Sequence, residues 1–368
     1  MKKNVLFLAA GLLTFASCSQ DETTGLDNGG AIKFRPNVSN VTRGPIYTPT
    51  SYFNSFNVTS FIEGAASNFF ENLQVNKSGA DWNTAQAYYW PGTGTLKFFA
   101  YAPADVANVV VNPTSQKINN FTPESSVAAQ KDLVVASNTG TKAGNETSGV
   151  AMNFKHALSQ INVQAKSANT TSYEIKVLGV KLCNIASTAS FTFPASTVAS
   201  GLVGEGQWST PATLKKYGSK LASEVTLGAS EANITKDNFL MIPQKLTAWD
   251  KTSGGTGAYI SVLCQISSKN GSNTTQIFPP AAGKFAYASV PVDTKWLPGK
   301  KYTYKLNFLG GGGAGNIDPD PSNPDTPDDP QVDPTPGPGG NPVLGGVIKF
   351  TVTVEDWDGT TPAGELNL

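Results

Sequence analysis

The feature that most constrains this chain is a two-residue rhythm of apolar side chains. In the run from Tyr302 to Phe308, Tyr302, Tyr304, Leu306 and Phe308 fall on one side, and Thr303, Lys305 and Asn307 on the other. Ile348, Phe350, Val352 and Val354 alternate with Lys349, Thr351 and Thr353 in the same way. That period belongs to a half-buried β-strand, because successive side chains leave a strand on opposite faces. Few long 3.6-residue patterns occur between Gly44 and Phe308. Short strand-like runs recur instead, among them Thr95–Pro103, Gln130–Ser137, Gln160–Lys166 and Ala258–Ser267, punctuated by Gly, Pro, Asn and Ser. The expected fold is all-β, with antiparallel β-sandwiches. At 368 residues the chain has room for two domains. The polar, Gly-bearing break from Ser137 to Gly149 divides them, giving one sandwich over 44–148 and another over 149–308.

The N-terminus reads as an export signal. Lys2 and Lys3 precede a short apolar run from Val5 to Phe15, and Ala16-Ser17 lead to Cys18. The run is too short to span a bilayer, so residues 1–18 read as a cleaved signal peptide. A cysteine at that position points to lipoprotein processing with lipid on Cys18; simple cleavage with an incidental cysteine is the alternative. Only Cys183 and Cys264 remain beyond it. They are either a disulfide, permissible in an exported chain, or two buried thiols packing as small hydrophobes.

From Leu309 to Gly346 the chain is almost entirely Gly, Pro, Asp, Asn and Ser. Such a segment cannot bury a core of its own and reads as a flexible leash with solvated acids. About thirty residues of Pro-rich chain at ~3.1 Å each would reach on the order of 90 Å. The leash ends in a strand over 347–368 whose opening, Gly345-Gly346-Val347-Ile348-Lys349-Phe350, echoes Gly29-Gly30-Ala31-Ile32-Lys33-Phe34. The early copy is followed by Val41-Thr42-Arg43-Gly44, where a trypsin-like protease would cut the Arg-Gly bond. Two strands of one pattern can compete for one open sheet edge. Ile32, Phe34 and Val38 would cap it until removed. Ile348, Phe350, Val352 and Val354 of a neighbour would then fill it by β-strand addition. Four such side chains stabilise by roughly 6–12 kcal/mol gross. Pairing of the last strand within its own chain is equally within reach of the leash.

Chemical motifs are sparse. The formal charge is zero, with 27 basic and 27 acidic residues, and no basic run exists to hold nucleic acid. The one histidine, His156, has no nucleophile and acid at triad spacing and reads as a hydrogen-bonded structural residue. Zinc would need more ligands than one His and two separated Cys provide. Asp318, Asp320 and Asp325 lack the loop spacing of a calcium site. Gly310–Gly315 lacks the Lys-Ser/Thr of a phosphate loop. Neither metal nor cofactor is expected, and no enzyme. Trp82, Tyr88, Tyr89, Trp90 and Tyr101 form either a glycan-stacking platform or, in alternating strands, part of a core.

Taken in order, these blocks resemble a known family. Trp82 with Tyr88-Tyr89-Trp90-Pro91, Phe98–Pro103, Asp132–Ala136, Phe154–Ser159, Leu240–Gln244, Trp296–Tyr304 and Phe350–Trp357 are similar to the fimbrillins, the Bacteroidia-type (type V) pilins and related lipoproteins. The resemblance runs from Cys18 to Trp357. It implies two tandem transthyretin-like sandwiches and export as an outer-membrane lipoprotein held by lipid on Cys18. It further implies removal of residues 19–43 by an Arg-specific protease at Arg43–Gly44, and polymerisation with other pilin subunits. Ala31–Val38 would be the discarded strand and Val347–Val354 the donor, in a cell-surface fimbria that adheres to a host or bacterial receptor. The alternative is a lipid-anchored adhesin or glycan-binding protein, or a tip or anchor pilin, that does not polymerise. The long Pro/Asp-rich leash departs from the family pattern.

Overall fold

The computed structural model describes residues 30–38, 53–197, 203–253, 255–321, 329–357 and 364–367. The alternating runs become strands of three sheets that build tandem β-sandwiches, so the chain is all-β as its periodicity requires. The first sheet has seven strands, in the order Phe34–Val38, Val150–His156, Val134–Gly140, Leu96–Ala102, Ser55–Ile62, Phe70–Ser78 and Asp81–Thr84. Its two outermost strands approach each other, so the sheet curls around its own core. Phe98, Ala100 and Ala102 face that core with Phe56 and Val58, while Phe99 and Tyr101 face the opposite layer with Ile118 and Phe191. One strand therefore feeds two cores by strict alternation.

The opposite layer is organised on one strand, Tyr173–Thr192, which belongs to both sandwiches. Its far end pairs with Ser115–Phe121 against the first sheet. Its near end pairs with Ala212–Thr226 on one side and Tyr259–Asn270 on the other. There Val177, Val180, Ile260 and Val262 pack on Ile161, Val163, Tyr302 and Tyr304 of the remaining sheet. That sheet runs Ala232–Asn233, Ser159–Ser167, Lys300–Phe308, Lys349–Asp356 and Gly364–Asn367, with Phe239–Met241 beside Ser159–Ser167. Strand pairs are antiparallel except Phe34–Val38 with Val150–His156 and Ser159–Ser167 with Lys300–Phe308.

Two sequence expectations need correction. The polar break from Ser137 to Gly149 lies within the first sheet. It holds a single helical turn, Lys142–Asn145, whose Thr141 hydroxyl accepts the Gly144 N–H at 3.2 Å. Val150–His156 returns to pair with Val134–Gly140 at Val134↔His156 and Val135↔Lys155. The passage between sheets comes later, at Ala157-Leu158, and is apolar because both residues sit in the core shared by the two sandwiches.

The second correction is the leash, whose described residues, 309–321 and 329–346, are not a free tether. Asn316–Ile317 adds to the strand Ala286–Pro291, and the chain doubles back so that Ala314 donates to the Val343 carbonyl at 3.0 Å and Val343 to Gly315 at 2.7 Å. The glycine run is what allows this close backbone approach. A Cβ on Gly313 would lie 2.1 Å from Gly346, and Gly315, at φ +86, would meet the Ser289 carbonyl at 2.7 Å. Composition alone misleads here because the segment covers another element's apolar surface instead of making its own. Val332 packs on Leu178, Leu263, Phe285 and Tyr287, on the outer face of the shared layer.

Candidate functional site

Two edges can act, one in each sandwich. The proximal strand Phe34–Val38 closes the curled first sheet. On one flank it runs parallel to Val150–His156, with Phe34↔Val150 through Val38↔Phe154 in register. On the other, the Ile32 N–H donates to the Tyr88 carbonyl at 2.7 Å and Ala31 bridges Tyr89. Ile32 and Phe34 are buried, while Lys33 and Arg35 point to solvent. The Phe34 ring meets Phe56 and Phe98 edge-on at centroid distances of 6.0 and 5.8 Å. Pro36 has no N–H to offer and is tolerated because this is an outer strand. Taking Gly30–Val38 away would open a slot lined by Phe56, Phe98, Val150 and Met152 and edged by unpaired backbone of Val150–Phe154.

The C-terminal strand Lys349–Asp356 pairs antiparallel with Lys300–Phe308 of its own chain, from Asn307↔Lys349 to Lys300↔Asp356. Ile348 and Val352 are buried in the second core, and Phe350 and Val354 lie half-buried against it, with Phe350 5.9 Å from the Tyr304 ring. Burial pushes the Tyr304 phenol up, and its oxygen accepts from the Trp296 indole at 3.0 Å. An ion pair of Lys300 with Asp356 and one of Lys301 with Glu355 at 3.2 Å finish the strand. Gly364–Asn367 pairs on its outer side.

The two echoing strands thus occupy different sheets and do not compete for one edge within a single chain. Each has its own hydrogen-bonding partner. Their shared motif has the same local effect in both places: Ile inward, Lys outward, Phe inward or half-inward.

Beyond Asp356, Trp357 lies flat on His156, rings 4.3 Å apart and 6° from parallel, and His156 Nδ1 lies 2.6 Å from the Asp132 carboxylate. His156 ends the strand that holds the proximal strand, so the C-terminal segment touches the first sandwich at that point. A cavity of about 620 Å³ opens beside it, walled by Phe53, Val127, Asp132, Leu240 and Trp357 among others. The sequence identified His156 as structural but carried no signal for its stacking partner.

Other candidate residues resolve differently. Trp90 and Tyr101 are core residues, Trp82 and Tyr88 pack against the core, and Tyr89 is exposed. Cys183 and Cys264 are separate buried thiols, and burial raises both, Cys264 to about 12. Asp318 and Asp320, read as solvated acids, pair with Lys181 at 2.9 Å and Lys216 at 2.6 Å. Lysines on the outer face of the shared layer draw them in. Lys181 within the apolar run Val177–Cys183 was the available signal for such a partner. Cys18, Arg43, Gly44 and Asp325 lie outside the described residues. Among the described residues no cluster of three His, Cys, Asp or Glu is placed to hold a metal, and no helix is long and apolar enough to cross a membrane.

No curated protein matches the chain. Among solved structures it is similar to a fimbrial protein from Bacteroides vulgatus, with 17% identity over 75% of this chain and 94% of that one, and a TM-score of 0.50. It is also similar to a candidate cell adhesion protein from Parabacteroides distasonis, with 12% identity over 90% of this chain and 97% of that one, TM-score 0.48. Another from Bacteroides ovatus gives 17% identity over 76% and 92%, TM-score 0.43. The first likeness supports the sandwich fold. The fimbrillin-like family model matches residues 54–357, from the strand after the proximal one to Trp357, and the chain therefore belongs to the fimbrillin-like family.

Proposed function

We infer that this protein is a fimbrial subunit of the cell surface, exported as a lipoprotein through Cys18, matured by cleavage after Arg43 and assembled by β-strand exchange. Family membership supports the fimbrial or adhesive role and other pilin subunits as partners. The observation that carries the rest is the proximal strand. It is the outermost member of a curled sheet, it fills an aromatic-lined slot, and residues 39–52, which hold Arg43, separate it from the rest of the first sandwich. One cut converts it from a covalent part of the sheet into a bound peptide.

The choice of residue at the cut adds support. The chain has two arginines, Arg35 and Arg43. Arg35 stands before Pro36 inside the paired strand, which leaves Arg43–Gly44 as the other bond that an Arg-specific protease would recognise. The donor would be the C-terminal strand of a neighbour, whose Ile348, Phe350, Val352 and Val354 match the slot in spacing and kind. Exchange requires that strand to leave Lys300–Phe308, so the pairing given up at home offsets part of the gain.

That home pairing favours a second reading, a lipid-anchored adhesin or a tip or anchor subunit that keeps both strands and does not polymerise. N-terminal sequencing of protein from the cell surface separates the two. A start at Gly44 is expected for a stalk subunit, whereas an intact 19–43 segment on assembled material overturns it in favour of the anchored adhesin. Replacing Arg43 by Ala should leave the precursor uncut and outside the fibre fraction.

A further inference from the structure

The outer face of the shared layer holds a buried arrangement unrelated to either edge. Lys181, on the long strand Tyr173–Thr192, and Asp318, just after the leash strand Asn316–Ile317, are both fully buried, with Nζ 2.9 Å from Oδ2. The rest of the carboxyl group is surrounded by donors placed by separate elements. Oδ1 accepts from the Tyr259 hydroxyl at 3.0 Å and from the Asp320 N–H at 2.8 Å. Oδ2 accepts from the Ser261 hydroxyl at 2.6 Å. Nζ also donates to the Asp320 carbonyl at 2.6 Å and stands 3.9 Å over the Tyr287 ring. Burying a charged pair away from water carries a desolvation penalty that can exceed its mutual attraction, and conversion to a neutral product removes that penalty.

We propose that Lys181 and Asp318 form an intramolecular amide, stapling the leash to the long strand. The ammonium passes a proton to the carboxylate, giving an amine and a carboxylic acid. With its remaining hydrogens directed at the Asp320 carbonyl and the Tyr287 face, the amine turns its lone pair on Asp318 Cγ. The C–N bond forms as the C=Oδ1 π bond opens. The resulting oxyanion on Oδ1 is held by the Tyr259 hydroxyl and the Asp320 N–H, the two-donor geometry that stabilises tetrahedral intermediates. Ser261 then relays a proton from nitrogen to Oδ2, which leaves as water while the C=Oδ1 bond closes. An ammonium and a carboxylate become one amide and one water, with no oxidant, metal or outside reactant. Burial pushes the Tyr259 phenol up, so it remains a donor throughout.

The bond stands whether or not strands exchange, but its place suits a fibre. The leash leads from Phe308 to the C-terminal strand, so tension on that strand would run back along the leash and reach Asp318 before Leu309–Ile317. An amide at Asp318 diverts the load into Tyr173–Thr192, which is built into both sandwiches.

The test is the mass of the chain from residue 19 onward, purified intact and then digested with trypsin. The intact chain is expected to be lighter by one water. The digest is expected to lack cleavage after Lys181 and to contain the peptide bearing Lys181 joined to Leu306–Lys349. Lys181→Arg, which keeps the charge but cannot form this bond, should fold with the same circular dichroism and show the full sequence mass. Tyr259→Phe should slow bond formation by about 100-fold, in line with loss of one oxyanion donor. An unmodified mass, with Val177–Lys181 released as a free peptide, overturns the proposal. So does loss of water without the joined peptides, as in a cyclised Asp.

Discussion

At the scale of the residue, the leash is held by groups whose roles depend on close approach. Gly315→Ala places a methyl group against the Ser289 carbonyl and a side chain at φ +86, so it should destabilise by about 1–3 kcal/mol or more. Gly206 has open space around its would-be Cβ and no positive φ, so Gly206→Ala should be neutral or slightly stabilising. Thermal denaturation of the two variants beside the parent reads the difference. The thiols give a second prediction. Burial holds Cys183 and Cys264 protonated at neutral pH, since a raised thiol loses its proton only as pH climbs toward the shifted value, for Cys264 about 12. A chain lacking residues 1–18 should therefore resist a thiol reagent at pH 8 when folded and yield two reactive thiols in denaturant without reductant. Denaturant that releases none would reveal a disulfide. The sequence left this choice open, because strand-like context around both cysteines fits either state.

At the scale of the element, alternation made the strands legible and left their partners hidden. Tyr302–Phe308 and Ile348–Val354 could be read as strands from their own residues, but their mutual register, Tyr302↔Val354 and Tyr304↔Val352, depends on side chains far apart along the chain. The same limit explains the position of Val150–His156, where a polar turn resembled a domain boundary. It also explains the leash, whose Gly and Pro content describes a chain with no core of its own but says nothing about a core it could cover. The proximal strand supports a quantitative prediction. Phe34→Ala removes a ring packed on Phe56 and Phe98 and should destabilise the uncut protein by about 3–5 kcal/mol. After cleavage at Arg43 the same change should speed release of the 19–43 peptide, followed by size-exclusion chromatography with mass detection. Lys33→Ala, at an exposed position of the same strand, should do neither. Equal release from both variants would mean that Phe34 does not hold the strand in place.

At the scale of the whole molecule, the two echoing strands sit on different sandwiches, and under the proposed exchange that separation would give assembly a direction. A chain that has lost its proximal strand presents a vacancy on its first sandwich, and its own C-terminal strand belongs to the second. Under the proposed exchange, head-to-tail repetition of one contact, donor to vacancy, would generate an open polymer where its rotation does not close a ring. The Trp357–His156 stack ties the C-terminal segment to the strand that borders the vacancy, so departure of Lys349–Asp356 also loosens the meeting of the two sandwiches. The central claim is that the slot left by Gly30–Val38 receives a β-strand from another copy. Its most direct measurement is a mild-denaturation gel of protein cut at Arg43, run beside the same protein lacking residues 347–368. The account predicts a ladder of stable multimers from the cut full-length chain and a single monomer band from the truncated one; a ladder of equal strength from the truncated chain would contradict it.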